Sequence, residues 1–200
     1  MGEPGEELAG HPDRLRWNVR YGQGPASFTP HPLAVAALAV PPPAAPDGRM
    51  VTAVDISDVA LGLLGGESRR RGLRAQITLV HADLRDWRPA GVSYALVLCT
   101  GYWDRAVFAT AVTAVAPGGV LAWEAFTAGA RRVRPGLCPD WCLADGEPVS
   151  LLGAGFEVLD VRDLPDGGRG PKRAMLARRL AAGHGPARTC VTARTLRPTP

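Results

Sequence analysis

Two hundred residues are enough for one domain with a substantial core. The chain is 46% hydrophobic and 21% charged with a formal net charge of +4, a soluble globular profile that excludes the disordered and collagen-like classes. No apolar run is long enough to span a bilayer, so neither a transmembrane segment nor a membrane partner is expected.

The N-terminus, "MGEPGEELAGHPDR", is acidic and lacks the apolar segment of a secretory signal. Glu6 stands where an N-myristoylation motif wants Ser or Thr, and the expected address is the cytoplasm. Residues 1–12 read as a flexible lead, 13–180 as one domain, and 181–200, proline-ended and aperiodic, as a loose tail. Of the 23 basic residues only Lys172 is a lysine. Arg69 to Arg71 read as the solvated face of a helix and Arg131 to Arg134 as a loop beside a site. Aromatic residues do not interleave with either cluster, so a nucleic-acid partner is not expected. Cys138-x3-Cys142 has no second pair at zinc spacing, so no metal site is expected. Cys99 lies inside an apolar run and reads as core.

In chain order, "MVTAVD" (Met50 to Asp55) is a β-branched run, and Ser57 or Asp58 is placed to cap a helix over Val59 to Gly72. Gly65 and Gly66 each cost about 1 kcal/mol there, so a break or fraying is expected, and Gly72 is a suitable stop. "QITLVHAD" supplies the next strand. Strand, helix and strand within this span make a βαβ unit, the builder of parallel sheets. "YALVLCT" (Tyr94 to Thr100) reads as a strand buried on both faces. A helix over Asp104 to Ala116 and a strand over Gly119 to Phe126 follow. "GFEVLDVRDL" and "KRAMLARRL" read as an antiparallel pair. The fold class is α/β, a mostly parallel Rossmann-like sheet flanked by helices.

In open parallel sheets ligands bind beyond the carboxyl ends of the strands. Asp55, Asp83 in "HADLRDW" and the loop "CTGYWD" (Cys99 to Asp104) all fall there. An acid at one strand end can accept ribose hydroxyls, and an acid at the next can accept an adenine amino group. Each also suits a plain turn or cap.

Taken together, "VTAVDIS", "HADLRDW", "ALVLCTGYWDRAVF", "APGGVLAWEAFT" and "DWCLADGEPVSLLGAGFEVLDVRDL" resemble a class I S-adenosylmethionine-dependent methyltransferase. The similarity is to the small single-domain branch that includes tellurite-resistance and thiopurine methyltransferases, and "RWNVRYGQGPASFTPHPLA" resembles that branch's N-terminal cap. The resemblance covers about residues 14–179. It implies S-adenosyl-L-methionine as cofactor and a small-molecule methyl acceptor. By it, Asp55 with Ile56 would hold the ribose, and Asp83 with the Leu84 amide the adenine. Cys99, Thr100, Gly101 and Tyr102 would line the methionine end, and Trp17 and Tyr21 would close over it.

One departure is severe. The family's first strand and its glycine loop belong just before Arg49, where this chain reads "LAVAALAVPPPAAPDG". Three consecutive prolines cannot stand in a central strand, because each lacks a ladder donor. "PPPAAPDG" is therefore expected to be a surface connection. The first strand and glycine loop are expected to be missing, and "GQG" (Gly22 to Gly24) reads as a turn.

For chemistry, Tyr102, Trp103 and Asp104 are placed near the acceptor, with Tyr102 and Asp104 the catalytic candidates. Asp104 is equally placed to cap the following helix. His31 and His81 are further bases in principle, with His81 read as structural. Glu124 either turns to the site or is a buried partner for an arginine. Three classes stay open: a working small-molecule methyltransferase, an inactive fold relative that binds a partner, and a nicotinamide oxidoreductase. The last lacks the G-x-G-x-x-G that its chemistry needs.

Overall fold

The structure, a computed structural model, describes residues 8–24, 26–40, 49–89, 91 and 93–181. The expected tail and the proline run at 41–48 lie outside the described residues.

Two helices begin by one device. Helices α1 (Pro12–Gly22) and α2 (Pro32–Ala39) each start with a proline, whose missing N–H is no loss in a first turn. The histidine before each is the cap. His11 Nδ1 accepts the Asp13 amide at 3.2 Å, and His31 Nδ1 accepts the Leu33 amide at 3.2 Å. The other ring nitrogen of each faces a carboxylate at 3.5 Å, His11 toward Asp83 and His31 toward Glu124.

Strands β1 (Val51–Asp55) and β2 (Ile77–His81) pair in parallel around α3 (Asp58–Arg70), as the sequence pattern requires. Ser57 is the cap, its Oγ accepting the Ala60 amide at 3.1 Å. The expected break at Gly65–Gly66 does not occur; the helix is continuous. A Cβ on Gly65 would stand 3.1 Å from Leu79 Cδ1, so the missing side chain lets α3 lie close on β2. Gly72, at φ 71°, ends it.

The second sheet holds β3 (Tyr94–Thr100), β4 (Val115–Phe126), β5 (Phe156–Leu164) and β6 (Lys172–Arg179) in the order β3-β4-β6-β5. β3 and β4 are parallel, while β6 is antiparallel to both β4 and β5. Helix α4 (Arg105–Ala114) links β3 to β4. β4 is the buried spine. Its Leu121, Trp123 and Ala125 join Trp103, Phe108 and Met175 on one face, and Val120 and Ala122 meet Leu33 and Ala37 of α2 on the other. The α/β class with flanking helices is what the sequence pattern requires.

The sheet is nevertheless two sheets. Among the described residues β1 pairs only with β2, and β3 only with β4. Among the described residues no strand stands between α2 and β1. Thr52 and Val54 of β1 and Leu96 and Leu98 of β3 line a common cavity instead of sharing a ladder. β3 is therefore half-buried, not buried on both faces, and Leu98 is 41% exposed. An unpaired parallel edge leaves backbone donors and acceptors without sheet partners, the usual liability of an edge strand. Inserting a strand, glycine loop and helix between Pro43 and Arg49 is expected to raise the melting temperature by several degrees. An unchanged melt in scanning calorimetry would show that these two edges need no partner.

Candidate functional site

A cavity of about 600 Å³ lies at the carboxyl ends of β1, β2 and β3 and runs down between β1 and β3. Trp17, Tyr21, Asp55, Ile56, Asp83, Leu84, Cys99, Thr100, Gly101 and Tyr102 all line it. Among the expected site residues, Asp104 alone is outside that wall.

Asp55 ends β1, and its Oδ1 accepts the Ser57 amide at 2.7 Å, shaping the turn into α3. Its Oδ2 has no protein donor at hydrogen-bond geometry among the described residues. Burial raises the Asp55 pKa, opposed by the Ser57 amide and by His81. Asp83, one strand away, accepts the Arg85 amide at 2.9 Å. Leu84 packs against the main core cluster. At the end of β3 the chain turns through Gly101, at φ 73°, whose amide donates to the Glu124 carbonyl at 2.7 Å. That left-handed turn suits glycine.

Helix α1 forms the outer wall. Trp17 stacks on Tyr21 with ring centroids 5.8 Å apart. Burial, and then the charge of Asp55, raise the Tyr21 phenol pKa. A polar clamp holds α1 to the start of α3. Arg14 donates twice to Asp58, at 2.9 and 3.0 Å, and Asn18 Nδ2 donates at 2.7 Å. Ser57 Oγ donates to Asn18 Oδ1 at 2.6 Å. These donors, Asn18 first, hold Asp58 down at about 2. The clamp is therefore formed above the ordinary carboxylate range and is lost as pH falls toward that value.

The middle of the cavity is neutral. Burial, with a smaller push from Asp55, drives the Cys99 thiol up to about 12. Burial followed by Asp104 drives Tyr102 up to about 12 as well, so its hydroxyl is a donor and not a base at neutral pH.

The remaining candidates have structural work. Asp104 Oδ1 accepts the Ala106 and Val107 amides at 2.9 and 3.1 Å, and Oδ2 accepts from Arg85 Nε at 2.9 Å. Both oxygens are engaged in the cap and an ion pair. His81 Nε2 bonds the Ile56 carbonyl at 3.0 Å, the structural role read for it. Glu124 points away from the site. It is buried on the α2 face, where Lys172 Nζ donates to it at 2.6 Å, so its partner is the single lysine and not an arginine.

Arg134 lines the cavity too, in the loop that the sequence places beside a site, while Arg16, Arg20, Arg85, Phe126 and Trp141 complete a basic and aromatic rim that the sequence pattern did not single out. Arg16 lies over both Trp17 and Trp141, at 5.3 and 5.0 Å, and so roofs the cavity. On α1, Arg16, Trp17, Arg20 and Tyr21 share one face by their spacing, a signal present in the sequence. Arg134 and Trp141 sit in the irregular stretch after β4, which carries no periodicity to place them.

Neither a protein-family profile nor a curated protein sequence matches the chain. Solved structures do. The N-methyltransferase NodS from Bradyrhizobium japonicum WM9 superposes with a TM-score of 0.52 at 16% identity, over 66% of this chain and 74% of that one. NodS has also been solved with S-adenosyl-L-homocysteine, again at a TM-score of 0.52. A putative sarcosine dimethylglycine methyltransferase from Galdieria sulphuraria gives 0.54 at 15% identity, over 66% and 70%. The [4+2]-cyclase SpnF gives 0.51 at 16% identity, over 66% and 68%. The fold is that of a Rossmann-like methyltransferase.

Asn18→Ala is expected to loosen α1 without unfolding the sheets. Losing bonds to a charged group is worth about 1–2 kcal/mol, hence roughly fivefold to thirtyfold in local opening. Amide hydrogen exchange checks this: α1 amides accelerate while β4 amides do not. Equal acceleration in both would mean that the clamp is part of the global fold.

Proposed function

We propose that the protein is an S-adenosyl-L-methionine-dependent methyltransferase acting on a small molecule, with a cofactor site weakened by the gap between β1 and β3. The observation that carries this reading is the convergence on one cavity wall of Asp55, the Asp83–Leu84 pair and Cys99 to Tyr102, from the ends of three strands. The donor set suits an adenosyl group. Asp55 Oδ2 is open to ribose hydroxyls, Asp83 is within reach of an adenine amino group, and Trp17 with Tyr21 is an apolar cover.

S-adenosyl-L-methionine, when bound, supplies a methyl group on a sulfonium sulfur. The chain's part is alignment, exclusion of water and, for a hard nucleophile, a base. Cys99 and Tyr102 give a neutral wall at the methionine end, with Tyr102 as a hydrogen-bond donor. Asp104 is fully engaged by the α4 cap and Arg85, which favours an acceptor that ionises without help over one that needs a base. By this reading the chain is akin to the small single-domain methyltransferases that its sequence resembles, and it works in the cytoplasm.

A second reading keeps the fold without methyl transfer. The open slot favours it, and the structural likeness to the [4+2]-cyclase SpnF is consistent with it.

Titration with S-adenosyl-L-homocysteine decides between them. At 100 times its dissociation constant the ligand adds about 2.7 kcal/mol of stability, several degrees in melting temperature. No shift at millimolar ligand would sink the catalytic reading.

Asp55→Asn is the informative variant, because it keeps the Oδ1 acceptor for Ser57 that Asp55→Ala would remove. Affinity is expected to fall tenfold or more. The sign for the free protein is opposite. A carboxyl whose folded pKa is raised stabilises only in its protonated form, and that contribution is lost as pH rises through the folded value. The amide has no such loss, so the free variant should melt slightly higher than the native chain at neutral pH and no higher in acid. A lower melting temperature at neutral pH would show that the Asp55 charge supports the fold.

A further inference from the structure

Resting on the methyltransferase reading, we propose that the acceptor half of the cavity takes a planar, anionic small molecule, with Arg134 meeting its negative charge.

Position comes first. Along the rim the strand order runs β2, β1, slot, β3, β4. Asp83 and Asp55 stand at the first two ends, so the adenosyl side is β2–β1 and the acceptor side is β3–β4. Arg134 is on the β4 side, its guanidinium 5.0 Å from the ring centroid of Phe126, the last residue of β4. Both residues line the cavity.

Charge comes second. Of the other cavity arginines, Arg20 stands over Trp17 on α1, and two already have acids. Arg16 pairs with Asp13 at 3.0 Å and Arg85 with Asp104 at 2.9 Å. Arg134 has no carboxylate partner among the described residues. Its neighbours are the Phe126 ring and the Cys142 thiol, and a stacked guanidinium keeps its in-plane donors available for a carboxylate fork. The wall's acids are Asp13, Asp55 and Asp83, and Arg16 pairs with the first.

Shape comes third. Trp141 offers a flat apolar face beside Leu137 in the same wall. A guanidinium without an anion and a flat apolar wall are both met by one carboxylate on a flat ring system. A neutral aliphatic acceptor meets neither.

The test uses the full chain and two probes of one shape, 2-naphthoate and the uncharged 2-naphthamide, titrated by calorimetry. The naphthoate should bind at least tenfold tighter, and Arg134→Gln should bring it down to the amide. The Arg134 side chain makes no hydrogen bond among the described residues and loses only its contact with the Phe126 ring, so the variant should melt within a few degrees of the native chain, and a melt of each sample verifies it. Equal affinity of the two probes, no binding of either, or selectivity that survives Arg134→Gln overturns the proposal. Arg134→Lys keeps the charge and should retain part of the selectivity; if it behaves as Arg134→Gln in a folded protein, the fork geometry matters as well as charge. S-adenosyl-L-homocysteine titrated into the same samples separates the two readings. Cofactor binding without probe selectivity removes only the anion subsite, and probe selectivity without cofactor binding removes only the methyltransferase reading.

Discussion

Two parallel strand edges that face each other and do not pair are the constraint on which the rest of this structure turns. A sheet normally carries its neighbours' positions through the backbone ladder. Between β1 and β3 that ladder is interrupted, so side chains must hold the β1–β2 unit to the four-stranded sheet. Three contacts do so. Leu84, just past β2, packs into the main core cluster. Arg85 pairs with Asp104 at the start of α4. Arg16 of α1 lies against Trp141 beyond β4. Two of the three are at the cavity rim and half exposed, where ion pairs and cation–π contacts are worth about 1 kcal/mol or less each. The apolar Leu84 contact is the firmer hinge. The halves are thus joined most firmly just where a ligand would lie across them.

The helices on either side are set by a cheaper arrangement, used twice. In His11-Pro12 and His31-Pro32 the proline removes one unsatisfied donor and the histidine covers another. Because Nδ1 accepts, Nε2 is the nitrogen that carries the proton in the neutral ring, and it faces an acid in each case. The two acids differ in consequence. Asp83 is at the cavity, so His11 couples the start of α1 to the β2 end of the site. Glu124 is buried in the spine strand and shared between His31 and Lys172. A carboxylate in that position is costly unless paired, which gives the chain's one lysine a definite task.

Much of this was legible in the sequence because it depends on local pattern. The β-branched run at 51–55, the cap at Ser57, the stop at Gly72 and the apolar β4 each follow from neighbours a few residues away. The ten cavity-lining candidates followed from one rule, that strand ends share a rim, joined to a resemblance. Three things were not legible, each for a physical reason. Gly65 reads as a helix breaker until Leu79 is seen against it. β3 reads as fully buried because composition records its apolar side chains and not the absent neighbour. Trp141 comes from irregular chain, where only the tertiary path brings it to the site.

Charge along the rim gives the site its direction. Asp83 and Asp55 make the β2–β1 end acidic, Arg134 makes the β4 end basic, and between them burial keeps Cys99 and Tyr102 protonated well above neutral pH. A permanent cation placed in that neutral middle has Asp55 on one side and no ionised group pressed against it from β3. An anion entering from the other end is drawn to Arg134 and toward the same middle. Coulomb attraction between unit charges about 4 Å apart is roughly 4 kcal/mol at an effective dielectric of 20. A sulfonium and an anionic acceptor would thus bring each other together, with the protein charges at both ends fixing the order. The arrangement depends less on a continuous sheet than a backbone cradle does, because side chains at the strand ends supply it.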